Sequence, residues 1–135
     1  MIVCFDYGER YVGVAITDRD GRISLRHSVI DQKESEVFET VEELVKKEMI
    51  NVVLVGVPMG MSGNETAQTR ESLNFIEDLK KRLGDEVSVE GTDERLTSVQ
   101  AGQNIMAEGG KKEDEHMEAA RLMLESYLIS NPSEE

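Results

Sequence analysis

The run Val52-Val53-Leu54-Val55-Gly56-Val57 has no polar side chain anywhere along it. Successive side chains of a strand point to opposite faces of its sheet, so a strand that is apolar throughout is covered on both faces. Ile2-Val3-Cys4-Phe5 opens the chain in the same way. Two such strands need one layer of helices above them and another below. A chain of 135 residues is long enough to supply both layers and a continuous core without disulfides or a structural metal.

The other segments fit that demand. Tyr11-Val-Gly-Val-Ala-Ile-Thr17 and a mixed stretch near 22–30 read as strands, joined through the turn-like Asp6-Tyr7-Gly8-Glu9 and Asp18-Arg19-Asp20-Gly21. Val37, Phe38, Val41, Leu44 and Val45 recur at helical spacing, which predicts a helix over 34–48. After the loop 58–63, a helix over 65–83 turns Leu73, Ile76, Leu79 and Leu83 inward and stops at Gly84. Val87 and Val89 mark a short strand, and Thr97-Ser98-Val99-Gln100 fits a capping box opening a helix that ends at Gly109-Gly110. A last helix over 114–129 carries Met117, Ala120, Leu124, Tyr127 and Leu128 on its apolar face. The order βββαβα, then βαα, implies an α/β fold with a mixed five-stranded sheet: three strands linked antiparallel, two parallel, and helices on both faces. Residues 1–130 are expected to form one domain, with a short flexible tail over 131–135.

Cys4 has no second cysteine to pair with and reads as a small buried hydrophobe. No export signal and no membrane-length apolar stretch is apparent, so a cytoplasmic location is expected. The 15 basic and 28 acidic side chains leave a net charge of −13, which argues against a broad phosphate-binding surface. Carboxylates that hold divalent cations are partly neutralised in use, and the basic residues Arg10, Arg70, Arg95, Lys111 and Lys112 could still gather locally. An acidic surface kept for solubility would equally explain the charge.

Ligands of such sheets collect at the carboxyl ends of the parallel strands. Asp6 stands at the end of the first strand, and Asp93 and Glu94 follow the last. Mg²⁺ and Mn²⁺ want carboxylate oxygens, and two such ions clamp the attacking and leaving oxygens of a phosphodiester. On spacing alone each acid also reads as an ordinary turn or a solvated strand end.

Four ordered motifs, taken together, resemble the YqgF family. They are Asp6-Tyr7-Gly8 with Gly13-Val14-Ala15; Val55-Gly56-Val57-Pro58-Met59 with Met61 and Gly63; Asp93-Glu94-Arg95-Leu96-Thr97; and Ala119-Ala120 with Leu124-Glu125-Ser126-Tyr127. The resemblance implies an RNase H-like fold related to the RuvC resolvases. It implies a nuclease acting on structured nucleic acid, either maturing the 5′ end of the 16S ribosomal RNA precursor during ribosome biogenesis or resolving Holliday junctions. It also implies Mg²⁺ or Mn²⁺ as cofactor, structured RNA or branched DNA as partner, and an association with pre-ribosomal particles. Asp6 would be a catalytic metal ligand, and Glu94 or its neighbour Asp93 the second. Arg95, Arg70, Arg10, Thr97, Lys111 and Lys112 would be nucleic-acid contacts, while Gly8 and Gly13 allow close backbone approach.

Two positions depart from the family pattern. His116 stands where similar proteins place an aspartate three residues before the Ala-Ala pair, and Tyr11 stands where they commonly carry a basic residue. Imidazole can ligate a metal or orient a water. His116 is therefore expected to take the third catalytic position, with Glu113 one turn earlier as a possible carboxylate in its stead. Loss of the nuclease at this position would instead leave a binding or assembly factor, which the net charge also suits. The Asp-Tyr-Gly and Val-Gly-Val-Ala pair resembles as well the phosphate-binding hairpin of actin-like sugar kinases, an architecture that needs two such domains around a nucleotide.

Overall fold

In the computed structural model, described for residues 1–59, 63–93 and 97–131 apart from the side chains of 97–99, five strands form one sheet in the order β3-β2-β1-β4-β5. The strands are β1 (Ile2–Tyr7), β2 (Tyr11–Thr17), β3 (Ser24–Asp31), β4 (Val52–Val57) and β5 (Ser88–Asp93). β1 pairs antiparallel with β2 and β2 with β3, whereas β1–β4 and β4–β5 are parallel. The helices are α1 (Val37–Glu48), α2 (Ala67–Leu83), α3 (Thr97–Glu108) and α4 (Glu115–Ser130), the last preceded by a 3₁₀ turn, Lys112–Asp114.

The apolar runs behave as their composition requires. Val3, Phe5, Val53 and Val55 project into one core layer with Val41 and Val45 of α1 and Phe75, Ile76 and Leu79 of α2. Cys4 and Leu54 project into the other layer, against Ala120, Met123 and Leu124 of α4. Phe75 is the hub of the first layer, stacked on Tyr7 at 4.3 Å and edge-on to Phe5 at 6.2 Å. Cys4 is a buried thiol.

The helix ends fall where local hydrogen bonds put them. α1 starts three residues later than the expected 34, because the backbone N–H groups of Glu34 and Ser35 turn back to the Asp31 carbonyl. Glu36 then caps the helix by accepting the Glu39 N–H at 2.7 Å. α2 starts two residues later than the expected 65, because Thr66 and Thr69 cap each other reciprocally. Leu73, expected to face inward, is 36% exposed. The buried stripe of α2 runs instead through Thr69, Ser72, Phe75, Ile76 and Leu79, so Leu73 falls on its flank. At the far end, Asn131 is tied to the last turn of α4 through its backbone and side-chain N–H groups, both donating to the Tyr127 carbonyl, rather than belonging to a loose tail. The remaining tail residues, 132–135, and the box side chains expected at Thr97–Val99 lie outside what is described.

α4 carries His116 and Glu118 to the sheet. It crosses β2, β3 and β1 with its N-terminal end beside the carboxyl end of β1. That crossing brings residues 6 and 116 together.

Candidate active site

Alternation along β1 places Asp6 on the same face as Cys4, under α4. Asp6 is the last residue of the strand on that face and is 6% exposed. His116, the second residue of α4, meets it with Nδ1 2.9 Å from Asp6 Oδ2. The carboxylate is an acceptor, so Nδ1 carries the proton and the neutral ring keeps its lone pair on Nε2. The imidazole side chain remains 35% exposed against 9% for the Asp6 side chain, so the pair has an inner, fixed member and an outer, accessible one. The hydrogen bond to Asp6 raises the His116 pKa above the ordinary value; burial opposes this, and the Asp6 and Glu115 charges add to it.

The two glycines of the first hairpin make this contact possible. A Cβ on Gly13 would stand 2.0 Å from the His116 carbonyl carbon and 2.1 Å from its oxygen. A Cβ on Gly8 would stand 2.8 Å from His116 Cε1. Gly13 thus lets the first turn of α4 rest on β2, and Gly8 leaves room for the ring.

The other expected residues divide. Register puts Asp93 level with Val57 at the end of β5, in line with Val89 and Gly91. Val89 belongs to the layer under α1 and α2, so Asp93 takes a position on the face opposite Asp6. Glu94 and Arg95, also expected at the site, lie outside the described residues. Glu113 lines the same cleft as Tyr11 and His116. Arg10 is held by a two-pronged ion pair to Asp31 at 3.1 and 3.2 Å, and Arg70 pairs with Glu65 at 3.3 Å. Thr97 opens α3, its side chain outside the described set. Lys111 and Lys112 do border the site: with Tyr11, Glu113, Glu115 and His116 they line a cleft of about 350 Å³.

The chemistry of the donors bears on a metal. Asp6 offers a hard carboxylate oxygen of the kind that Mg²⁺ and Mn²⁺ take, and His116 is committed to it through Nδ1. Among the described residues no three His, Cys, Asp or Glu side chains converge on one point.

A buried charge escaped the sequence reading. Glu118 is 1% exposed, yet it accepts from Arg121 at 2.6 and 2.8 Å, from Arg26 at 2.9 Å and from Asn104 at 2.6 Å. Burial pushes its carboxyl up, but the donors outweigh that and hold it at about 2. Arg26 also grips Glu108 at 2.7 and 2.8 Å, so one carboxylate ties β3 and α3 to α4 just past His116. Its sequence signal was its place beside Ala119 and Ala120 on the inward side of α4.

Comparison with known proteins gives the same frame. The family model described as RuvX: Holliday junction resolvase matches residues 1–130. A protein of Phocaeicola vulgatus named "Putative pre-16S rRNA nuclease" is 33% identical, over 96% of this chain and 95% of its own. One of Caldanaerobacter subterraneus subsp. tengcongensis with the same name is 33% identical over 96% of both chains. In fold, the T. thermophilus RuvC in complex with Holliday junction substrate superposes with a TM-score of 0.62 at 16% identity, covering 98% of each chain. The fowlpox virus resolvase in complex with Holliday junction DNA gives 0.61 at 12% identity, covering 98% of this chain and 99% of its own. An α/β sheet of RuvC-like topology, the motifs at Asp6 and at Ala119-Ala120, and a match over nearly the whole length together place the chain in the RuvX (YqgF) family.

Proposed function

We propose that this protein is a metal-dependent nuclease that hydrolyses phosphodiesters in structured RNA, its substrate being the 5′ region of the 16S ribosomal RNA precursor and its setting the cytoplasm. The observation that carries the reading is the Asp6–His116 pair, 2.9 Å apart, at the carboxyl end of a parallel strand. Family membership supplies the reaction class, and the names of the relatives at 33% identity supply the RNA.

Asp6 and Glu94 would hold Mg²⁺ or Mn²⁺, with His116 hydrogen-bonded to Asp6 as its supporting partner. A divalent ion there would lower the pKa of a bound water and neutralise charge gathering on the phosphate. The protein's own part is positional. Asp6, fixed in the sheet, orients the imidazole through Nδ1 and leaves the Nε2 lone pair to take a proton. Lys111 and Lys112, on the rim of the same cleft, bring two positive charges to the strand in a chain that is otherwise strongly acidic. Contacts from so few basic groups favour recognition of shape over sequence.

Junction resolution is the second reading, favoured by the description of the matching family model. The test is direct competition: labelled precursor ribosomal RNA and a four-way DNA junction, each with Mn²⁺, Mg²⁺ or EDTA. Metal-dependent cleavage of the RNA alone supports the proposal. Cleavage of the junction alone overturns it in favour of the resolvase. Binding without cleavage in every metal overturns both, and leaves a non-catalytic maturation factor.

A further inference from the structure

Tyr11 is more than a missing basic residue. It lies on the α4 side of β2, in line with Gly13, and its side chain forms one wall of the cleft whose other wall includes His116. The Arg10 guanidinium sits over the ring, 4.9 Å from its centroid, and Arg10 is itself locked by Asp31. An aromatic ring held under a fixed cation is pre-organised to stack on its other face.

The cleft's size and charge say what it would take. About 350 Å³ lies at the small end of ligand sites. Its formal charges cancel, Lys111 and Lys112 against Glu113 and Glu115. A neutral, flat, polar-edged group suits the interior, and anionic groups suit the lysines at the rim. An unpaired nucleobase with its flanking phosphates has that combination, and every base offers a π-face.

We propose that this cleft binds one unpaired nucleobase of a single-stranded segment, stacked on Tyr11, with the adjoining phosphates on Lys111 and Lys112. This rests on the nuclease reading for its substrate, and adds that the strand is single-stranded next to the point of attack. Sharing the wall at His116, the base would seat the neighbouring phosphate beside Asp6. Stacking tolerates any sequence, in keeping with a site that has no groove-reading element.

The experiment uses a single-stranded RNA oligonucleotide containing 2-aminopurine, titrated with the full chain in EDTA. The expected result is quenching on binding, absent for the same RNA annealed to its complement. Tyr11→Leu should lose the quench and weaken binding about tenfold, while Tyr11→Phe keeps the quench. The paired changes Lys111→Ala and Lys112→Ala should weaken binding and flatten its salt dependence while the quench at saturation persists. Equal quenching and affinity in Tyr11→Leu, or no binding of the single strand by the natural chain, overturns the subsite. A parallel Mn²⁺ cleavage assay separates the two ideas. Cleavage indifferent to Tyr11→Leu removes the subsite and leaves the nuclease; a Tyr11-dependent quench without cleavage removes the nuclease and leaves the subsite.

Discussion

The backbone of His116 occupies the space that any side chain at position 13 would need: a Cβ on Gly13 would stand 2.0 Å from the His116 carbonyl carbon. The first turn of α4 is pressed onto β2 at this point, and that contact sets how far the imidazole reaches toward Asp6. Gly13→Ala should therefore either destabilise the fold by about 3 kcal/mol or lift the helix start. Thermal melting reads the first outcome, and loss of the His116–Asp6 coupling in the histidine titration reads the second. A Gly13→Ala protein with unchanged melting and an unchanged titration would contradict the packing described.

That titration is itself a prediction. The chain has two histidines, His27 and His116, so their ring resonances are readily told apart by substitution. His116 should titrate above the ordinary histidine value, chiefly through its hydrogen bond to Asp6, and should fall back in Asp6→Asn. With the folded pKa raised, the stabilisation from this pair is fully present below the unfolded value near 6.5 and is lost as pH rises through the folded pKa. A protonated His116 ring would repel a cation at the proposed Asp6 site, so Mn²⁺ affinity should rise with pH over the same window.

Glu118 should show the opposite dependence. Its carboxyl is held at about 2 against an unfolded value of 4.5, so its stabilisation is present above the unfolded value and is lost as pH falls toward about 2. Glu118→Ala strands Arg26 and Arg121 and should cost about 3 kcal/mol near neutral pH, lowering Tm by about 10 °C. Melting curves of Glu118→Gln and the natural chain should differ at pH 7 and converge as the pH is lowered below 4.5. A gap that stays constant over that range would contradict the ionised, clamped carboxylate.

Much of this arrangement was legible in the residues. The unbroken apolar runs at 2–5 and 52–57 required a two-sided sheet, and the helical spacings at 37–45 and 117–128 supplied its covers. Asp6 and His116 were identifiable, the first by its place at a strand end and the second by resemblance and helical spacing. Their contact across 110 positions was not, because it depends on where α4 crosses the sheet. Leu73 misled because a helix stripe drifts, and a leucine one position off the buried line lies on the flank. The face that Asp93 takes was not legible either, because it follows from the register of β5 against β4. Glu118 was hidden for a different reason: a buried carboxylate is recognisable only through its donors, and Arg26 and Asn104 come from distant elements.

The central claim is that Asp6 anchors a metal-dependent cleavage site, and the most direct measurement is single-turnover cleavage of precursor ribosomal RNA in Mn²⁺ by the natural chain and by Asp6→Asn. The substitution keeps the size of the side chain, so circular dichroism and RNA binding should be preserved. The account predicts that cleavage by the natural chain requires the metal and falls at least about a hundredfold in Asp6→Asn. Cleavage that survives intact in Asp6→Asn would contradict it.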